Sequence, residues 1–153
     1  MLKIRNFFES DAEILTKISN EAFSDELARG MPQFTPEGFI KSSERKGVMI
    51  FVAEDSGKVV GFLTLVEGNV EIPAQIHLVA VAEKLRGRGI GKMFVREAIE
   101  HVKAAGRSKL KLYTRPWNKA MSKVCLDLGF VPEAYLRREY LDADLVQYSK
   151  FFE

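Results

Sequence analysis

The sequence is poor in residues that build covalent or metal cross-links. Its 153 residues include one cysteine, Cys125, and two histidines, His77 and His101. One cysteine excludes an internal disulfide, and one cysteine with two histidines cannot assemble a zinc site of the usual kind. A charge excess of either sign is missing too: 23 Lys and Arg against 21 Asp and Glu leave a net charge of +2. A dedicated nucleic-acid binder carries a far larger basic excess, so no nucleic-acid partner is expected. No apolar run approaches the length of a membrane-spanning helix, and Met1 to Glu9 has no apolar signal core. A soluble cytoplasmic protein with no membrane partner is the expectation. Repeats, low-complexity segments and linkers are also absent, which points to one domain spanning 1–153.

What is present is globular in character, with 46% hydrophobic and 29% charged residues. A chain of this length can bury about two-thirds of the surface it exposes when unfolded.

The stretch from Gln75 to Gly106 carries most of the information. Gln75 to Ala82 is a nearly unbroken apolar run and reads as a strand buried on both faces. It enters Glu83–Lys92, where Gly87, Gly89 and Gly91 alternate with Arg86, Arg88 and Ile90. Beyond the loop, Met93, Phe94, Val95, Ala98, Ile99 and Val102 recur at helical spacing, and Gly106 supplies the stop. The first N–H groups of such a helix have no partner inside it and carry the positive end of the macrodipole. Strand, glycine loop and helix therefore make an anion site, most often a phosphate site.

Spacing narrows the ligand. A dinucleotide fingerprint needs glycine where Lys92 stands. A nucleotide-triphosphatase loop needs glycine at Arg86 and Ser or Thr at Met93. Both fail. A turn that merely starts a helix, or an arginine-glycine patch touching RNA, stays open at this point. No aromatic platform accompanies the arginines for the second of these.

The rest of the chain alternates strands and helices. Leu2 to Phe7 reads as an opening strand, and Ser10-Asp11-Ala12-Glu13 as a capping box. The helix it opens directs Ile14, Leu15, Ile18 and Phe23 inward. Thr35 caps a second helix with Pro36 at its first position, ending near Gly47. Val48 to Glu54 and Lys58 to Val66 are strands joined through Asp55-Ser56-Gly57. Leu110 to Thr114 is a further strand, and Asn118 to Leu128 a helix stopped by Gly129. Phe130 to Tyr140 and Leu145 to Phe152 close the chain around an acidic turn, Asp142-Ala143-Asp144.

The pattern Arg86-x-x-Gly89-x-Gly91 after a buried strand resembles the acetyl-coenzyme A loop of the GNAT acetyltransferases. The element order matches that family over nearly the whole chain, and Asn118 with Gly129-Phe130 resembles its second signature. The resemblance implies a mixed α/β GNAT fold, with a mostly antiparallel mixed sheet of about seven strands flanked by four helices. It implies acetyl-CoA as cosubstrate. The backbone from Arg86 to Gly91, through Gly87, Arg88, Gly89 and Ile90, grips the pyrophosphate. The backbone of Val79, Ala80 and Val81 pairs with the pantetheine arm, and Asn118 also contacts the cofactor. Direct transfer to a primary amine follows, on a small molecule or a peptide N-terminus. A homodimer is compatible with the family.

Such a transfer needs a base for the amine and a donor for the departing sulfur. His77 stands four residues before Val81, which by alternation places both side chains on one face. Some family members use a histidine at this point, and its titration range suits the task. The other reading is a buried neutral imidazole bonded in the sheet. Glu67 and Glu71 are alternatives through water. His101 is expected on the polar side of its helix. The family's tyrosine acid falls at Cys125, whose other reading is a small apolar core residue; Tyr113 and Tyr140 could substitute. Around the acceptor, Glu21, Asp25 and Glu26 could attract a cationic amine. Tyr135 to Tyr140 is similar to a segment beside the peptide entrance of N-terminal acetyltransferases. Loss of the tyrosine supports one rival reading: an acetyl-CoA-binding sensor or interaction module on the same fold.

Overall fold

Val, Ile and Phe fill the 48–66 segment without polar alternation. The computed structural model, which describes residues 1–153, shows why. The chain begins with β1 (Leu2–Asn6), α1 (Ala12–Ala22), α2 (Ser24–Ala28) and α3 (Pro36–Glu44). Next come β2 (Val48–Asp55), β3 (Lys58–Val66), β4 (Ala74–Val81) and α4 (Ile90–Ala104). It ends with β5 (Lys109–Thr114), α5 (Lys119–Asp127), β6 (Val131–Tyr140) and β7 (Ala143–Phe151). The seven strands form one sheet in the order β1-β2-β3-β4-β5-β7-β6. Every pair is antiparallel except β4 with β5.

Helices cover both faces of the first half of this sheet. Phe51, Ala53, Leu63 and Leu65 enter one core with Phe94, Val95, Ala98, Ile99 and Val102 of α4. Ile50, Val52 and Phe62 enter the other with Ala12, Leu15 and Ile18 of α1 and Phe39 of α3. Strands buried on two sides have no polar face to show, hence the continuous apolar runs. Burying each large side chain of α4 contributes roughly 2 kcal/mol of transfer free energy. Gly61 allows α4 to sit this close. A Cβ there would lie 2.7 Å from the Ala80 carbonyl oxygen and 3.2 Å from Phe94 Cε2.

The chain forms five helices where the sequence implies four. Phe23 (φ −107°, ψ 29°) leaves helical geometry and divides the first expected helix into α1 and α2. Its ring packs instead on Phe34, with centroids 5.5 Å apart. Ile14 turns outward, 36% exposed, while Leu15 and Ile18 are buried. The expected capping box is replaced by another device. Asp11 accepts the Phe8 N–H at 2.8 Å and two Arg5 donors at 2.9 and 3.0 Å. Arg5 also donates to Glu54 at 2.8 Å, so one guanidinium ties β1, β2 and the start of α1 together. Thr35 does cap α3, accepting the Gly38 N–H at 3.0 Å with Pro36 at the first helical position. The last hairpin turns at Leu141 and Asp142 (φ 52° and 53°), one residue earlier than the acidic turn implied. Asp144 is already in β7, where its carboxylate accepts the Arg138 N–H and the Tyr135 hydroxyl.

Candidate active site

Strand β4 is irregular at both of the points that matter. Leu65 pairs with Ile76 and Thr64 with Leu78, so His77 is the extra residue of a β-bulge. Before the bulge, Ala74 and Ile76 face the core under α4. Beyond it, Val79 and Val81 do so, while Leu78 and Ala80 face α1 and α3. The bulge thus reverses the side-chain alternation. His77 does not share a face with Val81, as simple period-two counting requires; it lines a cavity with Phe34 and Phe39 on the α3 side.

The second irregularity is a parting of strands. β4 and β5 pair only through Ala74–Leu110 and Gln75–Lys111, and then separate. The Ala82 N–H donates to the Val60 oxygen at 2.8 Å, toward β3. By alternation the N–H groups of Val79 and Val81 point the other way, into the gap. Arg86 confirms this for Val81, because its Nε donates to the Val81 carbonyl at 3.0 Å.

At the far end of β4 the glycine loop opens α4. Gly89 is the N-cap, in left-handed conformation (φ 82°), and has no side chain to cap the helix. The first hydrogen bond of α4 runs from the Met93 N–H to the Gly89 carbonyl at 3.0 Å. The N–H groups of Ile90, Gly91 and Lys92 precede it and so have no partner within the helix. A Cβ built on Gly87, Gly89 or Gly91 meets nothing within 4 Å. The space over these amides is therefore open to a phosphate, and Arg88, in the same loop, is exposed. Strand gap and open loop together fit the diphosphate and extended arm of a coenzyme A thioester.

A cavity of about 490 Å³ occupies the parting of β4 and β5. His77, Val79, Tyr113 and Asn118 all line it, with Tyr140 from the last hairpin. The Asn118 side chain caps α5, accepting the Met121 N–H at 3.1 Å, and this leaves its Nδ2 donors for the cavity. His77 is exposed by surface area, yet the protein around it displaces part of the water from the ring. That displacement alone holds its imidazole below the ordinary histidine value. No hydrogen bond or neighbouring charge contributes, which sets aside the reading of an imidazole bonded in the sheet.

Several candidates lie elsewhere. Cys125 is fully buried in the core under α4 and lines no part of the cavity. Burial pushes its thiol up to about 12. Glu67 is engaged with His101, whose Nε2 lies 2.6 Å from Glu67 Oε1. His101 is half-buried against Phe51 rather than solvated. Asp25 pairs with Arg29 at 3.1 Å, and Glu21 is exposed. Glu26 does line the cavity, but Arg115 Nε stands 3.8 Å from it and offsets its charge. The sequence reading missed Arg115. It is 7% exposed, donates to the Tyr140 carbonyl at 2.9 Å, and lies against the Trp117 and Tyr140 rings. An arginine three residues before Asn118, at a strand end beside a tryptophan, was the available signal. No three His, Cys, Asp or Glu side chains are grouped to hold a metal ion. No helix is long and apolar enough to cross a membrane.

Sheet order, parted strands and glycine loop are those of an acyl-coenzyme A transferase fold. Residues 12–130 match the model of the acetyltransferase (GNAT) family, and the chain belongs to that family. It is 28% identical over 132 residues to a mycothiol acetyltransferase of Gordonia bronchialis, covering 78% of this chain and 40% of the relative. It is 38% identical over 85 residues to an uncharacterised N-acetyltransferase of Methanocaldococcus jannaschii, covering 52% of this chain and 38% of the relative. The chain thus spans about two-fifths of the length of these curated relatives. Among solved structures, YncA, a putative acetyltransferase of Salmonella typhimurium with its cofactor acetyl-CoA, superposes with a TM-score of 0.87. That match is 18% identical and covers 99% of this chain and 94% of the other.

Proposed function

We propose that this chain transfers the acetyl group of acetyl-CoA to a primary amine, on a small molecule or a protein N-terminus. One observation carries the reading: β4 leaves β5 after two paired residues, and the resulting gap holds His77, Tyr113 and Asn118 together. Acetyl-CoA supplies an activated thioester. The open amides from Gly87 to Gly91, with Arg88 beside them, hold its diphosphate. The outward N–H groups of Val79 and Val81 hold the pantetheine arm as an added strand would. One such N–H also polarises the thioester carbonyl and stabilises the charge that develops on its oxygen.

The incoming nitrogen forms its bond to the acetyl carbon as the bond from that carbon to sulfur breaks. His77, neutral at physiological pH, takes the proton that the amine gives up. Tyr113, or Tyr140 from the hairpin, gives a proton to the departing sulfur, and solvent resets both groups. Holding the amine against the carbonyl turns a bimolecular step into a local one, and this positioning is the larger part of the work.

Cys125 favours a second reading. With the thiol buried at the family's tyrosine position, α5 supplies no acid, as in a coenzyme-binding sensor with weak or lost catalysis. Calorimetry with acetyl-CoA followed by thiol release against amines and peptides separates the two. Binding with turnover supports the transferase; binding without turnover on any acceptor supports the sensor.

A further inference from the structure

His77 borders a second cavity. It measures about 350 Å³, lies between α3 and the ends of β2, β3 and β4, and shares His77 and Leu78 with the transfer cleft. That volume is within the range of small-molecule sites, about 300 to 1,000 Å³. Phe34, Phe39, Val48 and Val66 supply much of its apolar wall. Thr64 interrupts that wall. It is 6% exposed, and its hydroxyl oxygen has no hydrogen-bond partner in the chain. That oxygen is itself closed off from the cavity, so Thr64 adds no polar contact for an occupant.

Charge sets the preference. Arg45 lines this cavity, and no Asp or Glu does. A polyamine seated there would leave its extra positive charges facing an arginine with no carboxylate on the cavity wall. An anionic oxygen would meet a guanidinium.

We infer that this cavity receives the body of the acceptor. It selects a small primary amine with an aromatic or branched aliphatic body and an anionic oxygen at its far end. The assignment rests on the transferase reading above. The amine sits at His77, the body against Phe34 and Phe39, and the anionic end at Arg45. The bulge makes this geometry, because it turns His77 toward α3 while the thioester approaches from the β4–β5 gap.

The test measures acetyl-CoA binding by calorimetry and thiol release with para-aminoethylbenzoate, phenylethylamine and spermidine. Para-aminoethylbenzoate is expected to exceed spermidine in kcat/KM by about tenfold or more. Arg45→Glu should lower kcat/KM for the benzoate by about tenfold and leave phenylethylamine within about twofold. Ser42→Trp, which fills the cavity from α3, should raise KM for both aromatic amines and leave acetyl-CoA binding unchanged. Absence of coenzyme binding by the parent counts against the transferase reading itself. With coenzyme bound, the assignment is overturned by any of three results. These are spermidine as the better acceptor, both variants matching the parent on every amine, or turnover on other amines or peptides with none of the three acetylated; coenzyme binding without turnover on any acceptor counts against the transferase reading.

Discussion

His77 and Val81, four residues apart on β4, open onto opposite faces of the sheet, because the bulge opposite Thr64 and Leu65 reverses the alternation between them. Val81 belongs to the core under α4. His77 is free to meet an acceptor arriving from the α3 side while the main chain beyond it faces the coenzyme gap.

His77→Gln should therefore lower kcat/KM by about 10² to 10⁴, the usual contribution of a general base. Crowding lowers the His77 imidazole below the ordinary histidine value, so the neutral form persists to more acid pH. The acid limb of the kcat/KM profile should fall below that ordinary value, and His77→Gln should abolish it. A variant with the parent's limb and rate would remove His77 from the mechanism.

Cys125→Ala should keep most of the turnover, because the thiol lies in the core and outside the cavity. The cost appears in stability, about 1 kcal/mol for a small buried side chain. With burial raising the thiol to about 12, the native protein should resist alkylation at neutral pH and react once unfolded. Loss of several orders of magnitude in kcat, with the fold intact, would restore Cys125 as a reacting group.

Asp11 predicts an acid-sensitive joint between β1 and α1. Burial alone would raise its carboxyl, but the Arg5 guanidinium and the Phe8 N–H outweigh burial and hold it below the usual carboxylate value. A depressed value means that the folded chain binds fewer protons than the unfolded one in the acid range. The stabilisation is then complete above the unfolded value and is lost as pH falls through the folded one. Asp11→Ala should cost about 3 kcal/mol at neutral pH, by leaving Arg5 with Glu54 alone. The gap between variant and parent, read from urea midpoints, should narrow as pH drops below the carboxylate range. A gap independent of pH would contradict this.

Much of the fold was legible because it is written locally. The helix of α4 shows in the spacing of Phe94, Val95, Ala98, Ile99 and Val102, and the loop before it in three glycines two apart. The bulge was not legible, because it exists only in the register of β4 against β3. Nor was the parting of β4 from β5, which depends on where a partner stops pairing. Phe23 reads as one more inward helical residue; its departure follows from stacking on Phe34, eleven positions away in the sequence. Arg115 was overlooked because its partners, Glu26 and Tyr140, come from the two ends of the chain. The contrast is physical: periodicity reports on one element, while a site between elements reports on their pairing.

The coenzyme grip is tested most directly by calorimetry of acetyl-CoA against the parent, Gly89→Asn and Gly89→Glu. Gly89 has φ 82°, a conformation that asparagine tolerates better than other side chains, and the space above it is open. The parent should bind one coenzyme per chain. Gly89→Glu should weaken binding by about tenfold or more, by placing a carboxylate over the amides meant for phosphate. Gly89→Asn, uncharged, should fall between the two, and unchanged circular dichroism should show all three folded. A parent that binds no acetyl-CoA, or a folded Gly89→Glu that binds it as tightly as the parent, would contradict the account.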